Sequence, residues 1–400
     1  MPATTGRADG AGAERSDEPR TALGSLGHLL RPELADLSAY VPHQPPGIEV
    51  KLDANEAPAC PPAVRDVVLA AMSRVAMERY PDPRALRLKE AIAKRTGAKA
   101  DDLLVGTGSD EVIALVTNGL ARPKGRNPQA VVLTPTPTFV MYRITARAHG
   151  LKPVEVPLDA SWDLDADMTS RAIATTQPSV VFIASPNNPT GNRMSADRLE
   201  AVVRAAGPGA GARGEDEAPG ALALVDEAYV DYCGPGASVR GWRERYPHLG
   251  ILRTLSKTGL AALRVGWLEA DAALVAEIDK TRQPFNLSAT SQAAASAVLE
   301  DAWDELQAGV ARVIAARERL AAALAALEGF SVTPSGANFV WVKTPVPAES
   351  VFEHLARDGI LVRSFHAAGG RLTSQLRITV GDDAQHERLL ASLAKMRPEA

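Results

Sequence analysis

The chain is poor in cysteine. Its 400 residues hold two, Cys60 and Cys233, far apart in sequence, so no disulfide framework is expected and a reducing, cytoplasmic compartment is. The seven histidines form no H-x-x-x-H pair and there is no C-x-x-C, so no metal is expected. No apolar run reaches the length that crosses a bilayer. Residues 1–20 are small and charged, without the apolar stretch of a signal peptide. A net charge of −4 offers no basic surface for nucleic acid. Two nucleotide loops are missing as well. After Gly106 and Gly108 the third glycine position of a dinucleotide fingerprint holds Glu111, and no G-x-x-x-x-G-K-[ST] occurs.

What remains is an ordinary globular composition, 46% apolar and 23% charged, in a chain long enough for a large core and more than one domain. Residues 1–22 read as a disordered tail. A short helix is expected over residues 29–40 and a proline-rich extended arm over 41–47. Apolar spacing predicts a helix over residues 62–77, then a turn at Arg79-Tyr80-Pro81-Asp82-Pro83. Beyond residue 85 the pattern becomes α/β: a helix over 86–95, a strand over 103–105, a tight turn at 106–110 and a helix over 111–120. A strand, glycine turn and helix in succession suit an anion, because free N–H groups open the helix; a plain turn has the same sequence.

Short continuous apolar runs recur at 131–133, 180–183, 221–225 and 251–252. Such runs fit parallel strands covered on both faces, and their alternation with helices predicts an open, mostly parallel sheet flanked by helices. Residues 207–220 read as a surface loop or insertion. The last third differs. A long amphipathic helix begins near Trp303, strands are expected at 339–343, 360–363 and 375–380, and a helix between them stops near Gly359. The expected division is a tail (1–22), an arm with part of a small domain (23–60), a large domain (61–290) and a small C-terminal α+β domain (291–400).

One stretch organises the chain: Gly250-Ile251-Leu252-Arg253-Thr254-Leu255-Ser256-Lys257, followed by Leu263-Arg264-Val265-Gly266-Trp267. A lysine just past a buried strand needs a partner or a reactive role. Alone, Lys257 reads as a corner lysine with its head in water. Its company alters that reading. Three apolar runs end in polar residues, at Asn187-Asn188-Pro189, Asp226-Glu227-Ala228-Tyr229 and Ser256-Lys257, and open α/β sheets bind ligands beyond the carboxyl ends of their strands.

Pyridoxal phosphate asks for this set of partners. It needs a lysine for its aldehyde and a carboxylate that keeps the ring nitrogen protonated. It also needs donors for its phenolate oxygen, an aromatic side chain on the ring face, and hydroxyls, an arginine and a helix N-terminus for the phosphate. Lys257, Asp226, Tyr229 with Asn188, Phe139, and Ser109 with Ser256 and Arg264 supply each type.

The chain resembles the fold-type I, class I/II pyridoxal-phosphate-dependent aminotransferases and, among them, the histidinol-phosphate aminotransferase branch, from about Arg31 to the C-terminus. Broad markers are Ser185-Pro186-Asn187-Asn188-Pro189-Thr190-Gly191 and Asp226-Glu227-Ala228-Tyr229. Narrower ones are Leu52-Asp53-Ala54-Asn55-Glu56, Arg79-Tyr80-Pro81-Asp82, Tyr246-Pro247-His248-Leu249 and Leu376-Arg377-Ile378-Thr379-Val380-Gly381. The resemblance implies the PLP-dependent transferase fold type I. It implies Lys257 as the Schiff-base lysine, Asp226 as the partner of the ring nitrogen, and Tyr229 and Asn188 at the phenolate oxygen. Phe139 stands where the family stacks an aromatic residue, commonly tyrosine. Ser109, Asp110, Thr254, Ser256 and Arg264 match phosphate contacts. Tyr80 matches a tyrosine lent by a second subunit, which implies a homodimer. Tyr40, Asn55, Asn338, Arg363 and Arg377 match substrate contacts, Arg377 also gripping an α-carboxylate. The implied reaction exchanges an amino group between L-histidinol phosphate and 2-oxoglutarate, giving L-glutamate. Transamination of other amino acids, such as aromatic ones, and decarboxylation of an amino acid phosphate remain open on these residues. A regulator built on the same domain is a third alternative, for which the N-terminal stretch is short and polar.

Overall fold

The computed structural model describes residues 44–125, 127–209 and 220–396, with residues 26, 28–31, 34, 37 and 39. The tail expected over residues 1–22, half of the residues of the helix expected over 29–40, Tyr40 among them, and the middle of the 207–220 loop lie outside the described residues. The chain divides into two compact units, Ala59–Arg312 and Met1–Pro58 with Val313–Ala400.

Among the described residues the strands are β1 (Val50–Leu52), β2 (Leu103–Thr107), β3 (Val131–Thr136), β4 (Lys152–Pro157), β5 (Val180–Ala184), β6 (Leu222–Asp226), β7 (Leu249–Thr254), β8 (Val265–Glu269), β9 (Ser331–Thr333), β10 (Phe339–Lys343), β11 (Ile360–Ser364) and β12 (Gln375–Thr379). The α-helices are α1 (Pro62–Met72), α2 (Leu86–Thr96), α3 (Gly108–Gly119), α4 (Met141–Ala148), α5 (Ala166–Thr176), α6 (Ala196–Ala205), α7 (Ala272–Asp279), α8 (Ala289–Asp301), α9 (Trp303–Ala325), α10 (Ala348–Arg357) and α11 (Asp383–Leu393). None is long and apolar enough to cross a membrane.

In the unit Ala59–Arg312 seven strands lie in the order β2-β8-β7-β6-β5-β3-β4. β7, β6, β5, β3 and β4 run parallel to one another, and β8 runs antiparallel to both β2 and β7. Side chains alternate across a strand, and here both faces are buried. Leu104, Val132, Phe182, Leu224 and Leu252 pack with α3, α4 and α7. On the other face Leu133, Val181, Ile183, Val225 and Ile251 pack with α5 and α6. Val105, Val265 and Trp267 pack with α1, α2 and α8. Covering on both sides is why the strands read as continuous apolar runs, and β5 and β6 are buried along their whole length.

Among the departures from the sequence expectation, three have a plain physical reason. α1 stops at Met72, where the Ser73 hydroxyl donates to the Ala70 carbonyl (2.9 Å); such a side chain competes with the helical ladder. β4 carries Pro153 and Pro157 and escapes recognition, because proline is tolerated only where a strand lies at the sheet edge. β8 was not expected as a strand, and its antiparallel return makes it the next-door neighbour of β7.

The second unit carries a five-stranded sheet in the order β1-β11-β12-β10-β9, antiparallel except for β1 with β11. Val340, Val342, Val362, Leu376 and Ile378 form one core with Leu320, Leu324, Val351, Leu355, Leu389 and Leu393 from α9, α10 and α11. Along β12 Arg377 alternates with those buried residues and therefore lies on the opposite face.

Candidate active site

β5, β6 and β7 are adjacent and parallel, so their carboxyl ends lie side by side. This brings together the loops carrying Asn188, Asp226 with Tyr229, and Ser256 with Lys257. Lys257 sits on the connection between the antiparallel neighbours β7 and β8, in a π-turn (Ser256–Leu260) followed by a 3-10 turn (Ala261–Leu263). The connection is tied at its base. The Leu255 N–H donates to the Val265 carbonyl (3.0 Å), and the Thr254 hydroxyl donates to the same carbonyl (3.0 Å) while accepting the Ser256 N–H (3.1 Å). The Tyr232 hydroxyl donates to the Lys257 carbonyl (2.5 Å). The Lys257 ammonium lies 5.8 Å from the centre of the Tyr229 ring.

Asp226 is the last residue of β6 and is 5% exposed. Its Oδ1 accepts the Ala228 N–H (2.9 Å) and its Oδ2 accepts the Tyr142 hydroxyl (2.5 Å). Burial pushes the carboxyl up from 3.8 to about 6, against the Tyr142 and Ala228 hydrogen bonds and the Lys257 charge, which favour ionisation. Asp226 thus sits as a carboxylate that a cation placed beside it would return to full ionisation.

A second cluster lies at the start of α3, which begins at Gly108 directly after β2, so the turn expected over residues 106–110 is shorter than its sequence implied. The Arg264 guanidinium pairs with Asp110 (3.2 Å) and donates to the Ser256 hydroxyl (3.4 Å). Arg264 is held in the left-handed region (φ 50°), and its carbonyl accepts the Gly108 N–H (2.8 Å). A Cβ on Gly108, itself at φ +76°, would come within 2.9 Å of the Arg264 Cζ. One on Gly266 would come within 2.6 Å of the Gly108 carbonyl carbon. Both glycines let backbone and guanidinium close around the first N–H groups of α3, an arrangement with the chemistry to receive an anion. Ser109 lies in this first turn. The Thr254 hydroxyl is taken up inside the lysine loop.

Sequence reasoning passed over two side chains. Asn187 is fully buried. It accepts from the Thr138 hydroxyl (2.8 Å) and donates to the Pro137 carbonyl (2.9 Å) and Thr190 Oγ1 (2.7 Å), tying the Asn188 loop to the segment that carries Phe139. Its place next to Asn188 was the only signal. Tyr142, in the first turn of α4, gave none beyond its closeness to Phe139, whose ring it meets edge-on at 5.5 Å.

In the other unit Arg363 and Arg377 are direct partners across β11 and β12. Arg377 donates to the Asp53 carbonyl and lies 5.5 Å from the Phe339 ring centre. The Asn55 N–H donates to the Thr379 hydroxyl (3.0 Å), and the Asn338 amide donates to the Asn55 carbonyl (2.9 Å). Asn338 is fully buried and its Oδ1 has no partner among the described residues. Tyr80, of the first unit, is 82% exposed and stacks on Phe285 at 4.7 Å.

Residues 48–393 match the family described as aminotransferase class I and II. The chain belongs to this family. A histidinol-phosphate aminotransferase of Chromobacterium violaceum is 38% identical over 369 residues, 92% of this chain and 97% of that protein. The histidinol-phosphate aminotransferase 1 of Ralstonia nicotianae is 38% identical over 376 residues, 92% and 94% of the two chains. Among solved structures, a histidinol-phosphate aminotransferase from Sinorhizobium meliloti in complex with pyridoxal-5'-phosphate is similar at a TM-score of 0.77 and 26% identity, covering 91% of this chain and 96% of that one.

The raised Asp226 carboxyl has a consequence for stability. A group whose folded pKa, about 6, exceeds its ordinary 3.8 contributes most below the ordinary value, and that contribution is lost as pH rises through the folded value. In the ligand-free protein Asp226→Asn should therefore add on the order of 1–3 kcal/mol at pH 7.5 and little at pH 4. Urea unfolding at the two pH values measures this, and an equal gain at both would refute the assignment.

Proposed function

We propose that this aminotransferase uses pyridoxal phosphate to exchange an amino group between L-histidinol phosphate and 2-oxoglutarate, forming 3-(imidazol-4-yl)-2-oxopropyl phosphate and L-glutamate in histidine biosynthesis. The observation that carries the reading is the placement of Lys257 and the buried Asp226 at adjacent strand ends beside an anion-receiving helix start. The names of the relatives at 38% identity support the substrate. The donor set fits the cofactor: Asp226 for a protonated ring nitrogen, Tyr229 and Asn188 for the phenolate oxygen, and Phe139 for the ring face. Ser109, Ser256 and Arg264 would hold the phosphate, with Asp110 fixing Arg264 and Thr254 fixing the Ser256 backbone. The unit Ala59–Arg312 is then the cofactor-binding domain, and the two free cysteines suit a cytoplasmic enzyme.

When bound, the cofactor supplies an aldehyde that takes up the amino group and a ring that delocalises an electron pair. The chain's own residues do the rest. Lys257 would hold the cofactor until substrate arrives, and its freed amine would then remove the proton from the substrate α-carbon and return it to the carbon on the far side of the amino nitrogen, as base and then acid. Asp226 would keep the ring nitrogen charged. Arg363 and Arg377 bind the anions, because a guanidinium meets phosphate or carboxylate with two parallel hydrogen bonds. That shared geometry lets two substrates with different anions use the same arginines. Asn55, Asn338 and Tyr40 complete the substrate contacts.

Tyr80 belongs to the proposed homodimer. A side chain this exposed, stacked beside a groove of about 300 Å³ that Arg79, Leu88 and Gln292 help to line, suits delivery to the phosphate of a second copy.

Three outcomes are expected. The absorbance band of the protein with pyridoxal phosphate should be lost on adding L-histidinol phosphate and regained with 2-oxoglutarate. A band that answers only other amino acids would discard this substrate, and carbon dioxide release without a keto-acid acceptor would replace transamination by decarboxylation. Arg363→Ala should lower kcat/KM for histidinol phosphate by about 10- to 100-fold, the worth of a charged hydrogen bond, and lower it less for generic amino acids; an equal loss would remove Arg363 from phosphate recognition. Mixing the inactive variants Tyr80→Ala and Lys257→Ala should restore activity through mixed dimers that hold one intact site. No recovery on mixing would place Tyr80 within its own subunit's function.

A further inference from the structure

Tyr142 is absent from the constellation above, yet one side chain links two of its members. Its ring is fully buried, stacked on Phe182 of β5 at 4.8 Å with 5° between the planes. The Phe139 ring meets it edge-on at 5.5 Å and 86°. Its hydroxyl reaches Asp226 Oδ2 at 2.5 Å. The same residue therefore touches the side chain placed to stack on the cofactor ring and the carboxylate placed against the ring nitrogen.

We propose that Tyr142 is a positioning residue that fixes the Asp226 carboxylate and holds it ionised toward the ring nitrogen of bound pyridoxal phosphate. The inference rests on the proposed cofactor.

Two donors reach this carboxylate, the Ala228 N–H on Oδ1 and the Tyr142 hydroxyl on Oδ2. An ionised carboxylate has about four acceptor directions, so these two bonds set its rotation and leave directions open for a ligand. The Ala228 bond comes from the backbone two residues on and follows Asp226 wherever β6 goes. The Tyr142 bond comes from α4, across β5, and so anchors the carboxylate to the body of the sheet. Packing between Phe182 and Phe139 leaves the phenol little freedom to follow another partner.

The acid–base chemistry agrees. Burial and the adjoining Asp226 charge push the Tyr142 phenol well above its ordinary range, so it remains a donor whenever Asp226 is ionised. The other groups acting on Asp226 are Asp110 of α3, which opposes its ionisation, and Lys257, which favours it; Tyr229 and Asp110 act on Tyr142 in turn. Removing the hydroxyl would leave Oδ2 in an apolar wall and favour the neutral acid. A neutral acid cannot hold a ring nitrogen in its charged form.

The test is Tyr142→Phe, which keeps the ring and its stacking. Affinity for pyridoxal phosphate is measured between pH 6 and pH 8.5, beside a deaza analogue that carries C–H in place of the ring nitrogen. The variant should bind pyridoxal phosphate about 10- to 100-fold more weakly than the parent, the worth of a hydrogen bond to a charged group, with the gap widening as pH falls. Its affinity for the deaza analogue should equal the parent's. Equal losses for the two ligands, or a gap independent of pH, would show that Tyr142 serves packing alone and overturn the proposal. Should Tyr142→Phe fail to fold, Phe182→Leu, which keeps the hydroxyl but frees the ring, carries the same comparison. It should give a smaller loss selective for pyridoxal phosphate, and an unselective loss overturns the proposal. A parent protein that does not bind pyridoxal phosphate overturns the cofactor reading itself, a result distinct from binding without selectivity.

Discussion

A carboxylate at the end of a buried strand is the constraint on which this structure turns. Asp226 closes β6 with apolar residues behind it and receives hydrogen bonds from one N–H and one phenol. Burying a charge without an opposite charge in contact is unfavourable, and the raised carboxyl records that tension. The surroundings are arranged to hold it in place. α4 brings Tyr142, β5 brings the Phe182 ring that fixes Tyr142, and the neighbouring β7 brings the loop of Lys257. Apolar residues in the same positions would make a more stable sheet and no site.

The second constraint is close backbone approach. Gly108 and Gly266 leave no room for a Cβ between β8, the lysine loop and the start of α3. The start of α3 is therefore closed in by backbone and the Arg264 guanidinium, while the groups gathered at the neighbouring strand ends are side chains. Because β8 returns antiparallel against β7, the lysine loop is fastened at both ends to neighbouring strands, which limits where the ammonium can travel.

Much of this was legible in the sequence, and for physical reasons. Strands covered on both faces must be apolar along their length, so β3, β5, β6 and β7 announced themselves, and the polar residues just beyond them marked the ligand end of the sheet. Arg363 and Arg377 fell on successive expected strands, and the alternation along β12 put Arg377 opposite its apolar face. Most of what was missed depended on distant partners. β4 hid behind prolines that only an edge strand tolerates. α1 ended early through one serine hydroxyl. Tyr142 lies 84 residues from Asp226, and nothing local to either residue speaks of the other. Asn187, between two residues of a recognised motif, looked like spacing until its three hydrogen bonds bound one loop to another.

The pairing of Arg363 with Arg377 sets two like charges directly opposite each other on one face of a sheet. Like charges so placed disfavour one another, and Arg377 is held by the Asp53 carbonyl and the Phe339 ring. The apolar core on the other face of the sheet holds the two strands in this register. An arriving phosphate or carboxylate would find a surface already short of negative charge, and part of its binding energy would come from ending a repulsion that the fold itself maintains. Counter-ions from solution would do the same in a weaker way, so the two arginines would make this small domain sensitive to its salt before any substrate is present.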